Sequence, residues 1–92
     1  MPTIHIEIPA PLQALADDAA TLPASGATVG AALADLATRH EMLVQRILTR
    51  GGAMREHVNL FLDDRDIRAD HGLDTPLREG SVLLVVPSVA GG

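Results

Sequence analysis

Apolar and polar positions alternate strictly from Thr3 to Ile8. Ile4, Ile6 and Ile8 fall on one side, and Thr3, His5 and Glu7 on the other. A side-chain period of two is that of a strand with one face in a core. Pro9 and Pro11 stop it, since proline cannot donate to a strand ladder. Leu12 to Pro23 has no clean period, and Ala19 to Leu22 is read as a short, weak second strand. Ser25-Gly26 then predicts a turn and Thr28 an N-cap. Val29, Leu33, Leu36 and Ala37 follow at i, i+4, i+7 and i+8, the spacing of an amphipathic helix running to about His40. Leu43, Ile47 and Leu48 keep helical spacing within Met42 to Arg50, and Gly51-Gly52 stands where helices take a left-handed cap.

Alternation returns at His57 to Leu62. Val58, Leu60 and Leu62 lie on one face, and His57, Asn59 and Phe61 on the other. Asp63-Asp64-Arg65-Asp66 predicts a tight polar reversal, Ile67 to Leu77 an irregular loop containing Gly72 and Pro76, and Glu79-Gly80 a turn. The final strand runs from Val82 to Val86, and Pro87 ends the sheet. The pattern predicts one α+β domain over residues 1–87, followed by a tail, residues 88–92. Its core face carries Ile4, Ile6, Ile8, Val58, Leu60, Leu62, Leu83 and Val85.

Composition narrows what such a domain can do. The 92 residues hold no cysteine, which excludes disulfides, thiolate metal sites and cysteine nucleophiles. All seven basic residues are arginine, so no ε-amine is available for a Schiff base, a phosphate-loop lysine or isopeptide branching of the chain onto itself. A net charge of −5 with scattered arginines argues against a nucleic-acid or membrane-surface protein, leaving proteins as the expected partners. No apolar stretch approaches the ~20 residues of a membrane-spanning helix. Strand-like sequence from the first residues leaves no signal peptide, and the expected location is cytoplasmic.

Candidate chemistry inside the domain is sparse. His5, His40, His57 and His71 are dispersed without ligand spacing. His40-Glu41 lacks the second histidine of a zinc-protease helix, and Gly51-Gly52 lacks the Lys-Ser/Thr of a phosphate loop. Asp63, Asp64 and Asp66 lack the later glutamate of a calcium loop and read as a solvated turn. No metal site and no catalytic residue is assigned. The informative feature is the Gly91-Gly92 carboxyl terminus, close behind the apolar run Val82-Leu83-Leu84-Val85-Val86. Without Cβ atoms, such a tail threads a channel too narrow for other residues and brings its carboxylate to another protein's active site. A frayed glycine-rich end is the plain alternative.

Several blocks together carry a resemblance. They are Ile6-Glu7-Ile8-Pro9, Gly26-Ala27-Thr28-Val29-Gly30, and Val58-Asn59-Leu60-Phe61-Leu62-Asp63-Asp64-Arg65-Asp66-Ile67-Arg68. Gly72-Leu73-Asp74-Thr75-Pro76-Leu77, Glu79-Gly80 and Pro87-Ser88-Val89-Ala90-Gly91-Gly92 complete the set. Over nearly its whole length the chain resembles the ubiquitin-like sulfur carriers of the MoaD/ThiS family, most closely the CysO-like members. It departs mildly, with Asp63 where the family often has Asn, Ser81 where it often has Asp, and Ser88 where it often has Ala.

The resemblance implies a β-grasp fold, a mixed sheet with one main helix on one face. It also implies a carrier rather than an enzyme. An activating enzyme that uses ATP adenylates the Gly92 carboxylate, which becomes a thiocarboxylate. Gly91, Ala90 and Val89 are the implied recognition elements of the tail. The carrier itself binds no cofactor, and its partners are the adenylating enzyme and a sulfur-accepting biosynthetic enzyme. In such a sheet the final strand lies between the first and third. Val82, Leu84 and Val86 then share an outer face with Phe61, an apolar group that marks a partner interface unless the register slips or a loop covers it. Three other readings stay open: a ubiquitin-like modifier joined to target lysines, the small subunit of a molybdopterin-synthase-like complex, and an inert binding module.

Overall fold

The structure, a computed structural model, describes residues 1–87. Five strands form one mixed sheet. They are β1 (Thr3–Glu7), β2 (Thr21–Ser25), β3 (Val58–Leu62), β4 (Arg65–Asp66) and β5 (Val82–Pro87), in the order β2-β1-β5-β3-β4. β5 runs parallel to β1 and antiparallel to β3. Helix α1 (Val29–Ala37) lies on one face, and a short α2 (Glu41–Gln45) follows it.

The alternation of the sequence sets which face is inside. Ile4, Ile6, Leu60 and Leu83 are fully buried and Val85 nearly so, against Val29, Ala32, Leu33 and Leu36 of α1. Leu62, expected in the core, is only half-buried, because it ends β3 immediately before the exposed Asp63. Ile67, just after β4, and Leu43, in α2, belong to the same core.

Three elements are placed differently from the sequence reading. The second strand is Thr21–Ser25 rather than Ala19 to Leu22, with Ile4 opposite Ala24 and Ile6 opposite Leu22. Residues Ala10–Ala16 before it form a 3-10 segment that buries Ala16. α1 ends at Ala37, where Thr38 donates its backbone N–H and its hydroxyl to the Asp35 carbonyl, tightening the last turn. α2 ends at Gln45, so Gly51-Gly52 does not cap it. Leu48 instead bridges to Met54, and Gly52, at φ 86°, turns the chain between them.

The segment read as an irregular loop is ordered by hydrogen bonds. Asp63 and Asp64 have φ of 49° and 73°, the pair of positive values that a type I′ hairpin turn requires. The turn folds Arg65–Asp66 back onto β3 as the edge strand β4. Ile67–Ala69 and Gly72–Asp74 are 3-10 turns. Beyond them the Thr75 carbonyl accepts the Val29 amide at 3.0 Å, satisfying one of the donors that a helix start leaves open. Pro87 pairs with Val58 and so belongs to the sheet. β1 accompanies β5 only to Leu84, which leaves the proline with a ladder neighbour on one side.

Two contacts fix α1 against β2. A Cβ on Gly26 would lie 2.5 Å from the Ala32 nitrogen and 2.7 Å from the Ala31 carbonyl carbon, so only glycine permits this approach. Asp35 accepts the Ser25 amide at 2.9 Å and pairs with Arg39 at 3.2 Å. Arg39 also donates to the Pro23 carbonyl at 2.9 Å. The Arg39 hydrogen bond, followed by that from the Ser25 amide, holds the Asp35 carboxyl below its usual value.

Candidate functional site on the open face of the sheet

Residues paired across neighbouring strands project from the same side of a sheet. One row of the outer face reads Thr21, Glu7, Leu84, Phe61, Asp66 from β2 to β4. Beside it, Val82 pairs with His5, and at the other end Val86 pairs with Asn59. Phe61, Val82, Leu84 and Val86 therefore form one stripe, centred on the middle strand of the sheet. Leu84 is 37% exposed and is one of only three large apolar residues exposed among the described residues. The other three members of the stripe are half-buried. Helix α1 packs on the opposite face, and no helix among the described residues covers this one.

The stripe has a chemical border that the apolar pattern alone does not reveal. Glu7, Asp63 and Asp64 join Phe61, Val82 and Leu84 around a shallow depression of about 330 Å³. Asp66 flanks Phe61. Asp63 also fastens the strand that carries the stripe, since its Oδ1 accepts the Val82 amide at 2.9 Å and its own amide donates to the Val82 carbonyl at 2.9 Å. At the Val86 end, Arg68 donates to the Asn59 side chain and, at 3.0 Å, to the Arg55 carbonyl. Alternation alone does not signal these neighbours; they come together through the strand order, with β5 set between β1 and β3. Glu7 and Asp66 then fall in register with Leu84 and Phe61.

Among the described residues, no group of three His, Asp or Glu side chains is placed to hold a metal ion. No helix among them is long and apolar enough to cross a membrane. Val89, Ala90, Gly91 and Gly92, assigned above to tail recognition and sulfur attachment, lie outside the described residues. The structure brings together Phe61, on β3, with Val82, Leu84 and Val86, on β5.

A mixed five-stranded sheet of this order, with a helix across one face, defines a β-grasp protein of the ubiquitin-like class. The ThiS family matches residues 6–92, and the chain belongs to that family. The sulfur carrier protein CysO of Mycobacterium tuberculosis is 30% identical over 91 residues, covering 97% of this chain and 98% of that protein. Among solved structures, a chain of the Amycolatopsis orientalis BexX/CysO complex superposes with a TM-score of 0.88 at 29% identity, covering 97% of this chain and 99% of that one. The small archaeal modifier protein 1 of Methanosarcina acetivorans also gives 0.88, at 26% identity, covering 100% and 98%.

Proposed function

We propose that this chain is a sulfur carrier whose Gly92 carboxylate is activated by an ATP-using partner and converted to a thiocarboxylate. The observation that carries the reading is the family match, which runs through Gly92 on a β-grasp domain similar over nearly its full length to a named sulfur carrier.

A carboxylate is a poor electrophile, and activation solves that problem. A Gly92 carboxylate oxygen attacks the α-phosphorus of ATP and expels pyrophosphate, giving the acyl adenylate. Sulfide, as HS⁻, then adds to the acyl carbon, AMP leaves with the bonding pair, and the thioacid formed loses its proton. The product thiocarboxylate is itself nucleophilic. It delivers sulfur inside the enclosed site of an accepting biosynthetic enzyme by proximity rather than by acid–base catalysis. All of this chemistry belongs to partners, and the chain is their substrate.

Val89, Ala90 and Gly91 serve as the thin segment that both partners close around. Phe61, Val82, Leu84 and Val86 serve as the docking stripe. The carboxylates bordering that stripe favour an activating enzyme with an apolar contact ringed by basic side chains. ATP-dependent pyrophosphate exchange with the activating enzyme tests the role of Gly92. Deleting Gly92, or adding one residue after it, should abolish exchange while the melting temperature stays unchanged. Exchange equal to that of the intact chain would refute the role. Similarity to a small archaeal modifier protein favours one second reading, attachment to target lysines, and covalent adducts retained in denaturing gels would identify it.

A further inference from the structure

A second surface flanks the end of β5, and its chemistry is the reverse of the stripe's. A groove of about 510 Å³ runs between the 3-10 segment, α2 and the start of β3, lined among others by Leu12, Met42, Arg46, Arg55, His57 and Pro87. Met42 is 59% exposed. An adjoining depression of about 380 Å³ shares Gln45 and Arg55 and adds Arg50. Three of the seven arginines of a chain with net charge −5 thus stand on one surface, and no Asp or Glu lines either hollow. Arg55 is held in place, its Nε donating to the Gln45 carbonyl at 2.7 Å. Its two Nη groups, like the guanidiniums of Arg46 and Arg50, have no protein partner among the described residues.

We propose that this groove docks an acidic, amphipathic segment of a partner protein that receives the tail. Carboxylates of that segment meet Arg46, Arg50 and Arg55, and its apolar side chains settle on Leu12, Met42 and Pro87. An unbranched thioether adapts to varied apolar shapes, which suits Met42 to a docking floor. A phosphate backbone would use the arginines but not the Leu-Met-Pro floor, so the partner is a protein. Position gives the surface its purpose. Pro87 lines the groove and is also the residue from which the chain continues toward Gly92. Five extended residues reach ~17 Å, so a partner seated here lies within range of the carboxylate. That purpose rests on the carrier reading, whereas the docking does not. Opposite charge on the two surfaces lets an activating enzyme and a second partner recognise one carrier without competing for the same contacts.

The test is a titration of the isotope-labelled full chain, followed by NMR, with a short synthetic amphipathic helix bearing glutamates on one face and leucines on the other. Its counterpart with lysine in place of glutamate is the control. Expected are amide shifts at Met42, Gln45, Arg46 and His57, an affinity that falls several-fold with added salt, and no response to the lysine peptide. The charge reversals R46E and R50E together should weaken binding about tenfold or more, as loss of close charge pairs does. Met42→Ala, a change at an exposed side chain, gives a second reading if the reversed variant fails to fold. Equal response to both peptides, shifts confined to Phe61 and Leu84, undiminished binding by the variants, or stronger groove shifts with a single-stranded oligonucleotide would overturn the proposal. The mass of the Gly92 terminus after activation reports separately on the carrier reading.

Discussion

The two faces of the sheet are built from the same strands by the same alternation, yet they serve opposite ends. On the inner face Ile6, Leu60 and Leu83 are sealed at 0% exposure under α1. On the outer face Phe61, Leu84 and Val82, from two of the same strands, face outward behind a border of carboxylates. Burial explains the first set. Nothing among the described residues packs over the second, and under the proposed function it is the docking stripe. In β5, then, Leu83 and Val85 hold the fold together, while Val82, Leu84 and Val86 lie on the outer face.

Substitutions one residue apart in β5 break or sharpen this contrast. Leu83→Ala removes a fully buried side chain and should cost about 2–5 kcal/mol of unfolding free energy, measured by denaturant titration. The neighbouring Leu84→Ala should change stability by no more than about 0.5 kcal/mol, as surface substitutions do. Combined with Phe61→Ala it should weaken binding to the activating enzyme by about 1.4 kcal/mol or more, tenfold in affinity. Similar stability losses for Leu83→Ala and for the outer pair would erase the distinction between the faces.

The smallest expected effect lies where α1 is fastened to β2. Asp35 has a folded-state pKa depressed below its ordinary 3.8, first by Arg39 and then by the Ser25 amide. Its contribution to stability is therefore complete above the unfolded value and is lost as pH falls through the lower folded one. In Asp35→Asn the fall in stability on acidification below about pH 4 should be shallower than in the parent, while binding at the outer face is unchanged. Melting temperature followed against pH checks it.

Strand facing was legible because a period of two forces a choice of side, and Ile4, Ile6, Leu83 and Val85 all point inward as the alternation requires. The helix was legible from Thr28, whose side chain accepts the Ala31 amide, and from the spacing of Val29, Leu33 and Leu36. Less of the chain between Asp63 and Leu77 could be read. Its order comes from positive φ at two aspartates, which favour but do not require it, and from the long-range bond between Thr75 and Val29. The second strand was displaced because Pro23 lies within it, a residue that demotes a run when read locally. At the candidate site, the apolar stripe followed from alternation. Its acidic border did not, because Glu7, Asp63 and Asp66 come together only through the strand order. The basic groove was invisible for the same reason, since Leu12, Met42 and His57 share no local period.

The account depends most on the chemistry at Gly92, and intact mass spectrometry addresses it directly. The full chain is incubated with the activating enzyme of the same organism, ATP and a sulfur donor. The account predicts a gain equal to one oxygen replaced by sulfur, located at Gly92 by fragmentation and absent when ATP is omitted. An unchanged mass under complete conditions, or the same gain in a chain lacking Gly92, would contradict it.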